Sequence, residues 1–286
     1  VSKLTSLEES AASVEDGSHI AFGGFAITRC VVAVAHALVR ARRRDLTLSQ
    51  VVGGFDTDLL VGGGCVSRLA YSGGSLDRFG SLHAVNRAIL AREIDAEEYS
   101  SLALTLRFHA GGLGLPFIPA RSMLGSDLIA DFADDGDAVR TGRDPFTGAP
   151  VALLAPLRPD VAFVHVDTAD EAGNATIGGP TWSIRETAFA AKRTVLLAES
   201  VVAVGTIDPN AVAIPAPVVS SVIHAPSGAF PTAVAGRYDY NREHLTAYAA
   251  ASRAGASAYA EFLERYVFAV SSHAEYLALA GAEPSA

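Results

Sequence analysis

Short apolar runs closed by glycine, each followed by a helical pattern, recur along most of the chain. His19–Phe22 reads as a buried strand running into Gly23-Gly24. Apolar residues dominate Val31–Val39, and Arg40, Arg42, Arg43 and Arg44 close the run. This predicts a helix with cations in its last turn, where they suit the helix dipole. Leu46–Val52 and Ser67–Tyr71 are the next strands, the second leading into Ser72-Gly73-Gly74. Leu82–Ala91 predicts a helix, Asp95–Tyr99 a short polar strand or turn, and Ser101–Ala110 a helix ended by Gly111-Gly112. Val151–Leu154, Val161–Val166, Val195–Ala198 and Val218–Ile223 continue the strands, with a helix over Arg185–Arg193. Asn241–Leu279 is helical in pattern and breaks at Gly255.

Strand, glycine loop and helix in alternation predict an α/β fold: an open, mostly parallel sheet with helices on both faces. The exception is a polar stretch over 131–148, carrying Asp131, Asp134, Asp135, Asp137 and Asp144, which reads as a surface excursion or flap. With no internal repeat and no clear linker, residues 1–286 read as one domain with a helical C-terminal region from about 241.

Composition narrows the function. The 286 residues are half hydrophobic, enough for a sizeable core. A formal charge of −9 argues against a nucleic-acid binder that works by phosphate neutralisation. Two cysteines, Cys30 and Cys65, give neither a disulfide framework nor metal-ligand spacing, so a cytoplasmic setting and no metal are expected. No apolar run is long enough to span a bilayer, and the first residues carry no apolar signal segment.

The candidate chemistry sits in the loops. Gly23-Gly24-Phe25, Gly62-Gly63-Gly64 and Gly73-Gly74 read as glycine loops after apolar strands, where a ligand crevice of an open α/β sheet lies. Their amides can approach phosphate or a thioester oxygen, or they are simply tight turns. Arg29 offers a guanidinium for a substrate carboxylate or for a surface ion pair. Arg121-Ser122 is an anion site or a capped helix start. Glu97 and Glu98 are a nucleophile or base, or a solvated acidic turn. His165 reads as a hydrogen-bonded core residue, and Asp167–Gly179 as a strand end and turn carrying Asp and Asn, either a site for a polar ligand group or simply a turn.

Taken in order, these motifs resemble the α subunit of class I CoA-transferases, nearest to the glutaconate CoA-transferase branch. The carrying segments are Phe22-Gly-Gly-Phe-Ala-Ile-Thr-Arg29, Asp58-Leu-Leu-Val-Gly62 with Gly64, Glu97-Glu-Tyr-Ser100 and Leu115-Pro-Phe-Ile-Pro-Ala-Arg-Ser-Met-Leu-Gly-Ser-Asp127. Pro145-Phe-Thr-Gly148, Arg158-Pro-Asp160 and Asp170-Glu-Ala-Gly-Asn-Ala175 complete the set, which runs from about Leu4 to about Tyr266.

The resemblance implies an enzyme that moves CoA from an acyl-CoA to a carboxylic acid, with coenzyme A as co-substrate and no permanently bound cofactor. It implies a β-subunit partner, often in an α2β2 heterotetramer, whose Glu is the nucleophile. By position, the pocket-lining role falls on Gly23, Gly24, Phe25, Arg29, Ser72 and Gly74, with Arg121 and Ser122 as weaker candidates. Family members that became steroid-degrading acyl-CoA hydrolases suggest an alternative using Glu97 or Glu98; the retained Gly-Gly-Phe favours a transferase. A non-catalytic small-ligand sensor is the alternative from another class. Two departures stand out: Arg29-Cys30-Val31 replaces the family's Arg-x-Pro, and Gly228-Ala229-Phe230-Pro231 replaces Gly-Ala-His-Pro.

Overall fold

A computed structural model describes residues 2–132 and 136–282. Its main sheet has nine strands, built on the order β1 (Leu4–Thr5), β12 (Ser221–His224), β11 (Arg193–Val202), β9 (Val161–Asp170), β2 (His19–Phe22), β3 (Leu46–Ser49), β4 (Val66–Tyr71), β5 (Asp95–Glu98). Neighbours along that path are parallel, and the short β10 (Ala175–Thr176) pairs antiparallel with β9. From β2 the chain steps outward through β3, β4 and β5; from β9 it steps the other way through β11 and β12. The order therefore reverses between β2 and β9, the place where an open α/β sheet leaves a crevice at its carboxyl edge.

Alternation along each strand divides the core. Ile20 and Phe22 of β2, Leu46 and Leu48 of β3, and Val161 and Phe163 of β9 face one side, against α2 (Val32–Arg40), α3 (Phe55–Gly62), α7 (Arg242–Ala254) and α8 (Ala256–Leu263). On the other side Ala21, Ala70 and Ala162 meet α5 (Ser101–Leu113) and a small sheet of β6 (Ile118–Ala120), β8 (Pro150–Leu154) and β7 (Val139–Arg143). Val164, Val166, Leu196 and Ala198 pack on α6 (Ile184–Ala190). Strands apolar on both faces are what a covered parallel sheet demands. The remaining α-helices among the described residues are α1 (Leu7–Ala12), α4 (His83–Leu90) and α9 (His273–Leu279).

Several sequence expectations are corrected. Gly62-Gly63-Gly64 follows helix α3 and not a strand, so it lies away from the carboxyl edge, with Gly62 against the Tyr259 ring. Helix α5 runs through Gly111 and Gly112 to Leu113 and ends at Gly114 in the left-handed region (φ 70°). Gly111 is there for close approach, since a Cβ would strike the Leu157 carbonyl. Part of the polar stretch is ordered as β7; Asp134 and Asp135 lie outside the described residues. Gly255, at φ 112°, does separate α7 from α8. Among the described residues no helix is long and apolar enough to cross a membrane.

Candidate functional site

Loops from five strands meet at the carboxyl edge. Gly23-Gly24-Phe25 follows β2, Gln50–Gly54 follows β3, Ser72-Gly73-Gly74 follows β4, Glu98 ends β5, and Gly178–Ser183 comes after β9 and β10. Parallel bridges Phe25–Val52 and Gly53–Gly74 tie the first three loops side by side. Gly24 sits at φ 99°, and a Cβ there would lie 2.6 Å from the Arg29 carbonyl oxygen, so only glycine fits.

Buried polar groups fix the Gly-Gly-Phe loop from below. Gln50 Nε2 donates to the Gly23 carbonyl at 3.1 Å, the Phe55 amide donates to the Ala26 carbonyl at 3.2 Å, and the Val31 amide donates to Asp56 at 2.9 Å. Thr57 Oγ1 donates to Gln50 Oε1. Burial pushes the Asp56 carboxyl up to about 6, against the pull of its hydrogen bonds.

Arg29 lies beneath the loop and is fully buried. It pairs with Asp167 at 2.8 Å, donates to the Gly178 carbonyl, and reaches His165 Nδ1 at 3.4 Å. Asp167 also accepts from the Gly178 amide at 2.6 Å and from Arg237 at 3.2 Å. His165 Nε2 lies 2.7 Å from Glu199 on the side away from Arg29. Burial works against ionised Glu199. Hydrogen bonds from His165, Tyr238 (2.5 Å) and the Ser227 amide (2.7 Å) nevertheless bring it below the usual carboxylate range. Arg29 thus has its charge paired inside the protein, while its Nε has no hydrogen-bond partner among the described residues.

The other predicted residues divide by position. Ser72 Oγ donates to the Val51 carbonyl and meets Ser101 Oγ at 2.9 Å, while Ser100 Oγ meets Ser122 Oγ at 2.5 Å. The Ser122 loop is thereby joined to the Ser72 loop through the start of α5; Arg121 is on the exposed rim. Glu97 accepts from the Tyr99 hydroxyl at 2.6 Å, and Arg107 donates to the same hydroxyl, so Glu97 is built into a structural chain. Glu98 is exposed, its Oε1 3.8 Å from where a Gly73 Cβ would stand. Phe230, in place of the family's histidine, is buried against His244 and Tyr276, 6.0 Å from each ring.

Sequence reading missed Trp182, whose ring stacks on Phe25 with centroids 4.2 Å apart. It is the single tryptophan of the chain and follows Gly178-Gly179-Pro180, a signal that was available. Gln50 and Asp56 were missed as well, because an isolated Gln and Asp carry no motif. Among the described residues no cluster of His, Cys, Asp or Glu could hold a metal ion.

An open α/β sheet with glycine loops, hydroxyls and an aromatic pair at its switch point has the architecture of a ligand crevice. Residues 4–225 match the family described as coenzyme A transferase. The chain is 30% identical over 300 residues to the α subunit of the glutaconate CoA-transferase of Acidaminococcus fermentans, covering 99% of this chain and 93% of the relative. The solved structure of that enzyme superposes with a TM-score of 0.94 at 29% identity, covering 100% of this chain and 96% of the other. Identity to the α subunit of the 3-oxoadipate CoA-transferase of Pseudomonas knackmussii is 31% over 239 residues, 82% of this chain and 83% of the relative. An uncharacterized protein of Archaeoglobus fulgidus is 34% identical over 285 residues; the match covers 98% of this chain and 62% of that protein's length. This chain belongs to the coenzyme A transferase family, and its mostly parallel α/β fold is that of glutaconate CoA-transferase.

Proposed function

We propose that the chain is the α subunit of a heteromeric CoA-transferase, working with a β subunit in an α2β2 assembly. The observation that carries this reading is the convergence of the Gly23-Gly24-Phe25 and Ser72-Gly73-Gly74 loops at the switch point. Glu97 is held by Tyr99, and Glu98, exposed beside the Ser72-Gly73-Gly74 loop, is the carboxylate the hydrolase alternative would use.

In this reading the Gly24 amide faces the thioester oxygen as charge develops on it, since the Gly23 and Phe25 amides donate to the Phe163 and Thr28 carbonyls. A β-subunit carboxylate attacks the thioester carbon, the C–S bond breaks, and an acyl-glutamyl anhydride and CoA thiolate result. The thiolate then attacks the glutamyl carbonyl, releasing the free acid and leaving a glutamyl-CoA thioester. An acceptor acid runs the same steps in reverse, so electrons and protons balance without a further reactant. Coenzyme A is a co-substrate. Buried free thiols at Cys30 and Cys65 support a reducing, cytoplasmic setting.

The test is reconstitution. The chain purified alone should exchange no CoA between an acyl-CoA and a free acid, and addition of the β subunit should restore exchange. Full activity of the chain alone would refute the partner requirement.

A further inference from the structure

Trp182 combines three properties that a structural tryptophan rarely shows together. It is 44% exposed, it sits at φ 46°, and it lies at the β2/β9 switch point stacked on Phe25 at an interplanar angle of 20°. A bulky residue in the left-handed region is an outlier that the surroundings must enforce, and such strain gathers at ligand sites.

The enforcement is visible. Asp167 holds the Gly178 amide at 2.6 Å while Arg29 holds the Gly178 carbonyl, so both polar groups of this glycine are clamped from below. Further along the loop, the Ile184 amide donates to the Thr181 carbonyl at 3.0 Å and closes a turn with Trp182 inside it. Phe25 supports the ring from the other side. The indole is thus presented by a rigid loop, with one face covered by Phe25.

Beneath this pair Arg29 and Arg237 both pair with Asp167, and Arg237 also donates to Ser200, Thr168 and the Asp167 carbonyl. Both guanidinium groups are held by these partners and Arg29 is fully buried, so neither is presented to a carboxylate at the aromatic pair.

Resting on the transferase reading, we infer that Phe25 and Trp182 form the acyl subsite, and that it takes an apolar acyl group with a flat portion rather than one ending in a second carboxylate. The competing planar group is the adenine of CoA. It is separated from the thioester by the whole pantetheine arm, whereas Phe25 is the next residue after Gly24. The acyl end is therefore what reaches the stack when the thioester is at the glycine loop. Stacking and burial of the indole face supply the attraction.

The experiment uses the assembled enzyme and benzoyl-CoA, glutaryl-CoA and free CoA as probes. Tryptophan fluorescence is read as the difference between wild type and Trp182→Phe, which isolates the single tryptophan of this chain. The half-reaction, acyl-CoA to glutamyl-CoA plus free acid, is followed without acceptor. Benzoyl-CoA should quench the Trp182 signal and free CoA should not. Trp182→Ala should raise the half-saturating benzoyl-CoA concentration about tenfold, a larger rise than for glutaryl-CoA. An equal response to free CoA, an equal effect on both acyl-CoAs, or a wild-type preference for glutaryl-CoA would overturn the inference. Glutamyl-CoA formation that ignores Trp182 also defeats the subsite and leaves the transferase reading intact. Quenching by benzoyl-CoA with no adduct from any acyl-CoA does the reverse.

Discussion

Gln50 and Gly23 are joined by a buried hydrogen bond, Nε2 to carbonyl at 3.1 Å, which ties the first glycine of the site to the loop after β3. Gln50 Nε2 also contacts Asp56 at 3.3 Å, and its Oε1 accepts from Thr57. Gln50→Ala should leave the Gly23 carbonyl and the Thr57 hydroxyl without this partner, at a cost of about 1–3 kcal/mol in urea denaturation. Gln50→Glu should be worse above pH 6, because it sets a second carboxylate against Asp56. Since Asp56 is raised to about 6 by burial, that variant should regain stability as pH falls through this value. Wild-type stability in Gln50→Ala would contradict the anchoring role.

Arg29 gives a second prediction, one that separates a buried strut from a substrate ligand. Removing one partner of a buried ion pair strands the other, so Arg29→Ala should cost about 3–5 kcal/mol. Arg29→Lys should recover little, because a single ammonium cannot bridge Asp167 and the Gly178 carbonyl as the guanidinium does. Unchanged denaturation together with a raised KM would place Arg29 in the substrate pocket instead.

These two residues show what the sequence could reveal. The alternating apolar runs predicted the covered parallel sheet, because strands buried on both faces must be apolar throughout. The Gly-Gly-Phe loop was legible for a related reason: glycine at a strand end marks a backbone position that tolerates no Cβ, as Gly24 illustrates. Arg29 was legible as a charge but not as a buried one. Its partner Asp167 lies on β9, which only the parallel pairing of β2 with β9 brings alongside. Gly62–Gly64 misled because a glycine run after an apolar segment looks the same behind a helix as behind a strand. Trp182 escaped because its significance lies in φ and in a stacking partner far away in the chain.

Acid stability gives a third prediction. Burial first, and nearby positive charge second, holds His36 well below 6.5 and His244 at about 4. Burial also brings His273 to about 4. The unfolded chain takes up these protons below pH 6.5 and the folded chain does not, so stability is lost as pH falls from 6.5 towards 4. The full loss is on the order of 3 kcal/mol each for His244 and His273. Asp56 acts in the opposite sense, since its raised carboxyl favours folding as pH falls from 6 towards 3.8. Burial likewise brings His19 to about 4, and it raises the Asp58 carboxyl as it does Asp56; four histidines outweigh two aspartates, and stability at pH 5 should be about 4 kcal/mol below that at pH 7. Among the described residues neither ring nitrogen of His36 has a hydrogen-bond partner, and its ring meets Tyr276 edge-on at 4.3 Å. His36→Phe should therefore flatten the pH dependence and raise stability by about 1 kcal/mol. A flat wild-type profile would contradict the assignment.

The central claim is that this chain shapes the thioester pocket while the attacking carboxylate comes from another chain. It is tested most directly by trapping the half-reaction of the assembled enzyme with an acyl-CoA in the absence of acceptor, and locating the glutamyl-CoA adduct by peptide mass spectrometry. The adduct should lie on a glutamate of the β subunit, with Glu97 and Glu98 unmodified. An adduct on Glu97 or Glu98 of this chain would contradict the account.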